Sequence, residues 1–146
     1  IGYCGGPRAV VTAMATVQGQ STSNPCSVSQ KAAVAALTGE QDCVARMCAA
    51  YRERHDFVVA GLNRLPGIRA LPGAGTFYAF ADVTGAMRSL GLADDDAFTD
   101  HLLARAGVAV VAGSGFGAPG HVRLSFATSQ AQLEKALRRI GESLTA

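Results

Sequence analysis

The stretch that most constrains this chain is residues 108–127, VAVVAGSGFGAPGHVRLSFA. An apolar, β-branched run from Val108 to Val111 leads into a loop that carries four glycines. The segment from His121 to Phe126 leaves that loop with strict alternation of polar and apolar side chains. Alternation with a period of two is typical of a strand that is buried on one face only. The stretch therefore predicts two strands joined by a glycine-rich loop.

Arg123 lies on the polar face of the second predicted strand, together with His121 and Ser125. A guanidinium group held on a rigid strand can bind a carboxylate or a phosphate through two parallel hydrogen bonds. The pattern alone leaves an alternative open, in which this arginine pairs with a surface acid or is simply solvated. A dinucleotide-binding loop is excluded, because such a loop is followed by a helix and here a strand follows.

Composition limits the classes of partner. The 146 residues are 49% hydrophobic and 16% charged, with a net charge of +2, which is typical of a globular protein of about one domain. The arginines are scattered, so no nucleic-acid binding is predicted. No apolar run approaches the ~20 residues that span a bilayer, and no charged-then-apolar segment resembles a signal peptide, so neither a membrane span nor a signal peptide is expected. We therefore expect a cytoplasmic protein that does not bind membranes.

The four cysteines do not have the spacing of a zinc site, so no metal site is predicted. They are expected to be reduced and mostly buried. The three histidines are isolated. His55 falls in the apolar stripe of a long predicted helix, His101 on a solvated helical face, and His121 at a strand start, so none is singled out as a general base. The acidic run Asp94 to Asp96 is read as the start of a helix.

Hydrophobic periodicity predicts the elements. Helices are expected over residues 8–17, 27–37 (with a capping box of Ser27 and Gln30), 40–65, 94–107 and 130–144 (capped by Ser129), and further strands over 68–71 and 77–81, with a loop through Gly91. This order predicts an α/β chain whose second half is an α+β domain. A long connecting helix would precede a small mixed sheet with flanking helices.

Several short segments carry a resemblance to a known family. They are IGY at 1–3, QSTSNP at 20–25, QKAA at 30–33, GTFY at 75–78, VVAG at 110–113, FG at 116–117 and VRLSFA at 122–127. In this order and spacing, the chain resembles the C-terminal part of the fold-type I, class I/II aminotransferases that depend on pyridoxal phosphate. The bacterial aspartate aminotransferases are the most similar group.

The resemblance implies roles for three residues. Arg123 matches the family's arginine that binds the substrate α-carboxylate, and Phe77 matches the aromatic lining beside the bound substrate. Asn24 lies in a segment that resembles the loop reaching across a homodimer toward the cofactor phosphate of the partner subunit. Ala112 departs from the family, which often has proline there, so the loop is expected to be less constrained.

The resemblance also implies a domain organisation and an activity. Residues 1–39 would end the large cofactor-binding domain, residues 40–66 would form the connecting helix, and residues 67–146 would form the small C-terminal domain. The parent protein would move an amino group between an amino acid and a 2-oxo acid with pyridoxal phosphate as cofactor. The family's Schiff-base lysine would lie upstream of Ile1, and neither Lys31 nor Lys135 matches it. The chain is therefore expected to be an inactive fragment that does not hold the cofactor alone.

Two alternatives stay open from the sequence. One is an aminotransferase-like effector-binding domain of a transcription regulator. The other is a lyase or synthase on the same fold, because fold does not fix reaction.

Overall fold

The computed structural model describes residues 1–145. These residues form six α-helices, namely α1 (Arg8–Ser21), α2 (Ser27–Thr38), α3 (Asp42–Leu62), α4 (Thr84–Leu90), α5 (Asp95–His101) and α6 (Gln130–Ser143). Four β-strands accompany them, namely β1 (Arg69–Ala70), β2 (Tyr78–Asp82), β3 (Val111–Ala112) and β4 (His121–Ser125). A π-helical turn, Leu102–Ala106, continues α5, and a 3₁₀ turn, Gly113–Phe116, follows β3. The chain divides into two compact units, Ile1–Cys43 and Val44–Ala146.

The first unit consists of α1, α2 and the segments around them. Helix α1 continues past the predicted end, and the Ser21 hydroxyl donates to the Val17 carbonyl at 2.9 Å in its last turn. The predicted capping box of Ser27 is wrong, because Cys26 is the N-cap residue of α2 and makes no side-chain cap. The Gln30 side chain instead donates to the Pro25 carbonyl at 2.8 Å. No residue of α1 or α2 is buried.

The second unit contains a four-stranded sheet with the order β1-β2-β4-β3. All three pairings are antiparallel, so the expectation of a mixed sheet is corrected to an antiparallel one. In the central pair, Phe80 of β2 lies opposite Arg123 of β4. Helices with a small sheet confirm the fold class. Helix α3, which enters this unit, begins and ends two to three residues inside the predicted limits of 40 and 65.

The core lies on one face of the sheet, beneath helices α3, α5 and α6. The strands contribute alternate side chains, and the helices contribute one stripe each. The buried members include Val58, Leu62, Ala79, Ala81, Phe98, Leu102, Val122, Leu124, Phe126, Leu133, Leu137 and Ile140. The predicted cap of α6 is confirmed, since the Ser129 hydroxyl accepts a hydrogen bond from the Gln132 N–H at 3.4 Å. The predicted alternation of β4 is likewise confirmed.

Three further sequence expectations differ from the structure. Residues 84–90 form α4 rather than a loop, because the Asp82 carboxylate accepts hydrogen bonds from the Thr84 N–H (2.9 Å) and hydroxyl (2.7 Å) and Gly91 ends the helix at positive φ. The apolar run after Gly107 pairs as a strand only at Val111 and Ala112. All four cysteines are free, as expected, but exposed rather than buried. They lie on the first unit and on the early turns of α3, where few side chains of the described chain pack.

Candidate functional site

Arg123 occupies the middle of β4, one of the two central strands of the sheet. It lies opposite Phe80 of β2 and Val111 of β3. Its neighbours Val122 and Leu124 are buried in the core, so Arg123 lies on the opposite face of the sheet. The strand thus holds the guanidinium group on the face that the helices do not cover.

The guanidinium group of Arg123 is held between two aromatic rings. Its Cζ lies 4.4 Å from the ring centroid of Tyr78 and 4.6 Å from that of Phe116. Its Nε is buried and has no hydrogen-bond partner among residues 1–145. Among the same residues, no carboxylate lies within ion-pair distance of it. The two rings therefore hold the cation in place.

Phe77 lies immediately before β2, with 40% of its surface exposed. Its ring centroid is 4.4 Å from that of Tyr78, and its carbonyl accepts a hydrogen bond from the Phe126 N–H at 2.9 Å. The preceding residue, Thr76, has a φ of 67°, a left-handed conformation that is strained for a β-branched residue. Its hydroxyl accepts a hydrogen bond from the Tyr78 N–H at 3.2 Å. The structure therefore connects Phe77 to Arg123 through the shared neighbour Tyr78.

Further aromatic rings extend this surface along the sheet. Phe80 stacks on the His121 ring with centroids 5.3 Å apart and an interplanar angle of 11°. It also meets the Phe116 ring edge-on at 6.3 Å. We call Tyr78, Phe80, Phe116 and His121 the aromatic face. It gives Arg123 an apolar surrounding, in which a charged hydrogen bond is stronger than in water.

The glycine-rich loop that carries Phe116 is tied to α5. Asp95, only 2% exposed, accepts a hydrogen bond from the Ser114 N–H through Oδ2 at 2.7 Å. This bond lowers the pKa of the Asp95 carboxyl, against the effect of its burial. Asp94 caps α5 by accepting from the Ala97 N–H at 2.8 Å, which agrees with the predicted helix start.

His55 and His101 form hydrogen bonds with residues that are distant in sequence. His55 Nε2 accepts a hydrogen bond from the Gly73 N–H at 3.0 Å, and its Nδ1 lies 2.8 Å from an Asp56 oxygen. It lines a cleft of about 290 Å³ with Tyr51, Arg52 and the segment 73–77. His101 is not solvated as expected: its Nε2 lies 3.0 Å from the Ser143 carbonyl, because α6 packs against the turn that follows α5.

The remaining predicted residues are each described within their own unit. Asn24 lies in the exposed connection between α1 and α2 in the first unit, and Lys31 is exposed on α2. Lys135 is exposed on α6. Within residues 1–145, no group of three or more metal-binding side chains occurs, and no helix has both the length and the apolarity to cross a membrane.

Sequence reasoning missed Tyr78, Phe116 and Asp95. The alternation of Tyr78 and Phe80 with two alanines was a usable signal, but the face they share with Arg123 depends on the register between β2 and β4. Phe116 is an aromatic residue among glycines, and Asp95 was counted with its helix-start neighbours. Only the fold brings Tyr78 and Phe116 to Arg123, and Asp95 to the loop that carries Phe116.

Comparison with known proteins places the chain in a family. The family model for aminotransferases of class I and II matches residues 1–140. An aspartate/prephenate aminotransferase of Nitrosomonas europaea is 48% identical over 151 aligned residues, which cover 99% of this chain and 38% of that protein. An aspartate aminotransferase of Rhizobium meliloti is 45% identical, with 96% of this chain and 35% of the relative covered.

Solved structures agree. The aspartate aminotransferase of Rhizobium meliloti aligns with a TM-score of 0.82 and 40% identity, covering 97% of this chain and 36% of that one. The Thermus thermophilus enzyme with maleate aligns with a TM-score of 0.81 and 40% identity, covering 94% and 35%. The chain thus spans little more than a third of the length of these relatives. It belongs to the class I and II aminotransferase family.

Proposed function

We propose that this chain is part of a pyridoxal-phosphate-dependent aminotransferase and that Arg123 binds the α-carboxylate of its substrates. An amino acid and its 2-oxo acid share that carboxylate, so one bidentate clamp can orient the substrates of both half-reactions. Family membership and the named activities of the relatives support the reaction class.

The observation that carries the proposal is the state of the Arg123 side chain. Its position is fixed by Tyr78 and Phe116, and its buried Nε has no partner among residues 1–145. Arg123 as a whole is only partly buried, and no carboxylate of residues 1–145 pairs with its charge, so an incoming carboxylate can bind the guanidinium group. The exposed ring of Phe77, next to Tyr78, is proposed to lie beside the bound substrate.

The rest of the catalytic site is proposed to come from outside this chain. The two lysines present are exposed on α2 and α6, so we propose that the Schiff-base lysine and most of the cofactor pocket belong to the part of the whole protein that precedes Ile1. Residues 1–39 would then end the cofactor-binding domain, residues 40–66 would form the connecting helix, and residues 67–146 would form the small domain. Asn24 is proposed to approach the cofactor phosphate across a homodimer.

Aspartate is the proposed amino donor, because relatives that match nearly all of this chain are named as aspartate aminotransferases. Arg123 recognises only what all amino acids share.

The test uses the whole protein supplied with pyridoxal phosphate, aspartate and a 2-oxo acid. We expect a new amino acid to form from the 2-oxo acid. Borohydride reduction followed by digestion and mass spectrometry is expected to find a pyridoxyl group on a lysine outside residues 1–146. The matched control omits the 2-oxo acid and should yield no amino acid product.

Two results would contradict the proposal. If no lysine is labelled and no amino group is transferred, the protein is a ligand-binding relative such as an effector domain. If aspartate is consumed without forming an amino acid from the 2-oxo acid, the reaction is an elimination on the same fold.

A further inference from the structure

We propose that Asp95 is a positioning residue for substrate binding: its buried carboxylate holds the glycine-rich loop 113–120 in the conformation that places Phe116 over Arg123. The inference rests on the proposed role of Arg123 as the carboxylate-binding residue. Asp95 touches neither Arg123 nor the substrate in this account. It acts through the loop.

Asp95 holds the loop by its backbone. Its Oδ2 accepts a hydrogen bond from the Ser114 N–H at 2.7 Å, at the start of the loop. An interaction with the Gly120 backbone also contributes to the lowered pKa of this carboxyl. The buried carboxylate therefore fixes the start of a segment that is only eight residues long. Hydrogen bonds to a charged acceptor are about twice as strong as neutral ones.

The far end of the loop is held separately, since the Val83 N–H donates a hydrogen bond to the Gly120 carbonyl at 2.9 Å. Gly117 and Gly120 adopt positive φ angles, and two internal backbone bonds, Gly117 N–H to Ser114 and Ala118 N–H to Gly113, shape the turn without attaching it to the sheet. Phe116 is 51% exposed, so its burial does not anchor the turn either. Asp95 thus supplies the side-chain hydrogen bond that fixes the start of the loop, two residues before Phe116.

The helix does not need Asp95 for its own capping. Asp94 is the N-cap residue of α5, and its carboxylate accepts from the Ala97 N–H at 2.8 Å. Asp95 is the next residue, and its carboxylate is directed to the loop. Burial of a charged group is costly unless the group is hydrogen-bonded. The hydrogen bond from the Ser114 N–H offsets this cost for the Asp95 carboxylate. What it holds is the loop that carries one of the two rings on Arg123.

The experiment compares Asp95→Asn with Asp96→Asn in the whole protein. Both substitutions remove one negative charge from the first turn of α5, but Asp96 is exposed and accepts no bond from the loop. We expect Asp95→Asn to raise KM for both the amino acid and the 2-oxo acid about fivefold, which corresponds to the weakening of a charged hydrogen bond. The turnover number kcat should change by less than about twofold, because Asp95 acts on binding. Asp96→Asn should change neither.

A double-mutant cycle shows whether Asp95 acts through Phe116. In a Phe116→Leu background, the ring over Arg123 is already lost, so adding Asp95→Asn should raise KM by much less than it does in the wild type. Fully additive effects would overturn the proposal, and so would an unchanged KM in the Asp95→Asn protein. If Asp95→Asn does not fold, Asp95→Glu keeps the charge and displaces its oxygens by one methylene, and the same rise in KM is expected; an unchanged KM there overturns the proposal.

Arg123→Gln separates this inference from the proposed function. If Arg123→Gln leaves KM unchanged, the proposed role of Arg123 fails and the inference about Asp95 fails with it. If Arg123→Gln raises KM while Asp95→Asn and Asp95→Glu do not, only the inference about Asp95 is wrong.

Discussion

Helices α1 and α6 have the same spacing of apolar residues, but these residues are exposed in α1 and buried in α6. Val10, Met14 and Val17 of α1 recur at i, i+4 and i+7, and all three are exposed. Leu133, Leu137 and Ile140 of α6 have the same spacing, and all three are buried. Both stripes predict a helix, and both helices form.

The difference teaches that an apolar stripe fixes the helix but not the surface that covers it. Helix α6 has the sheet and α3 to pack on within its own unit, whereas no residue of α1 or α2 is buried. Isolated helices of 12 to 14 residues are marginal in water, and their stability in proteins comes from packing. We therefore expect the second unit, in which Arg123 lies, to contribute most of the free energy of unfolding.

The largest expected effect comes from a matched pair of core substitutions. Phe98→Ala removes a ring that is 0% exposed, and it should lower the free energy of unfolding of the 146-residue chain by about 3–5 kcal/mol. Met14→Ala on the exposed stripe of α1 should change it by less than about 0.5 kcal/mol. Urea unfolding followed by circular dichroism measures both. Equal losses would show that α1 packs as firmly as the core.

A smaller effect is expected in the loop beside Arg123. A Cβ at Gly113 would lie 2.4 Å from the Ala118 carbonyl oxygen and 2.8 Å from that of His121, so Gly113→Ala must shift the backbone. We expect a loss of about 1–3 kcal/mol in unfolding free energy. Gly115→Ala, two residues away, meets nothing within 4 Å and is the control. Similar stabilities for the two variants would contradict the described packing of this loop.

The smallest effect concerns pH and again belongs to the second unit. Hydrogen bonds from Thr84 and from Ser114 lower the pKa of Asp82 and of Asp95, respectively. A carboxyl group with a lowered pKa in the folded state stabilises the fold fully above its unfolded pKa of about 4, and this stabilisation is lost as the pH falls through the folded value. The stability difference between wild type and Asp95→Asn should therefore shrink between pH 5 and pH 2, by unfolding titrations. A constant difference would contradict the assignment.

Much of the fold could be predicted from the sequence. Helices α1, α3 and α6, the alternation of β4 and the cap at Ser129 follow from local pattern, since each depends on residues close in sequence. Helix α4 was missed because seven residues show too little periodicity, and it depends on the Asp82 carboxylate for its start. Burial of the cysteines could not be judged, because burial depends on what packs against each helix.

Part of the candidate site was predictable for the same reason. The alternation in β4 placed Arg123 on the polar face, and the resemblance gave that residue a role. The rings of Tyr78 and Phe116 come from another strand and a loop, so their approach to Arg123 depends on the register of β2 with β4 and on the anchor at Asp95. Neither the strand register nor the hydrogen bond of Asp95 can be predicted from residue spacing in the sequence.

The most direct test of the central claim is the kinetics of Arg123→Lys in the whole protein, beside Arg138→Lys on the exposed side of α6. Lysine keeps the charge but loses the two-point contact, so KM for the amino acid and for the 2-oxo acid should both rise, by about tenfold or more, with a matching fall in kcat/KM. Arg138→Lys should leave both constants unchanged. If Arg123→Lys leaves KM for both substrates at the wild-type value, Arg123 does not bind the substrate carboxylate.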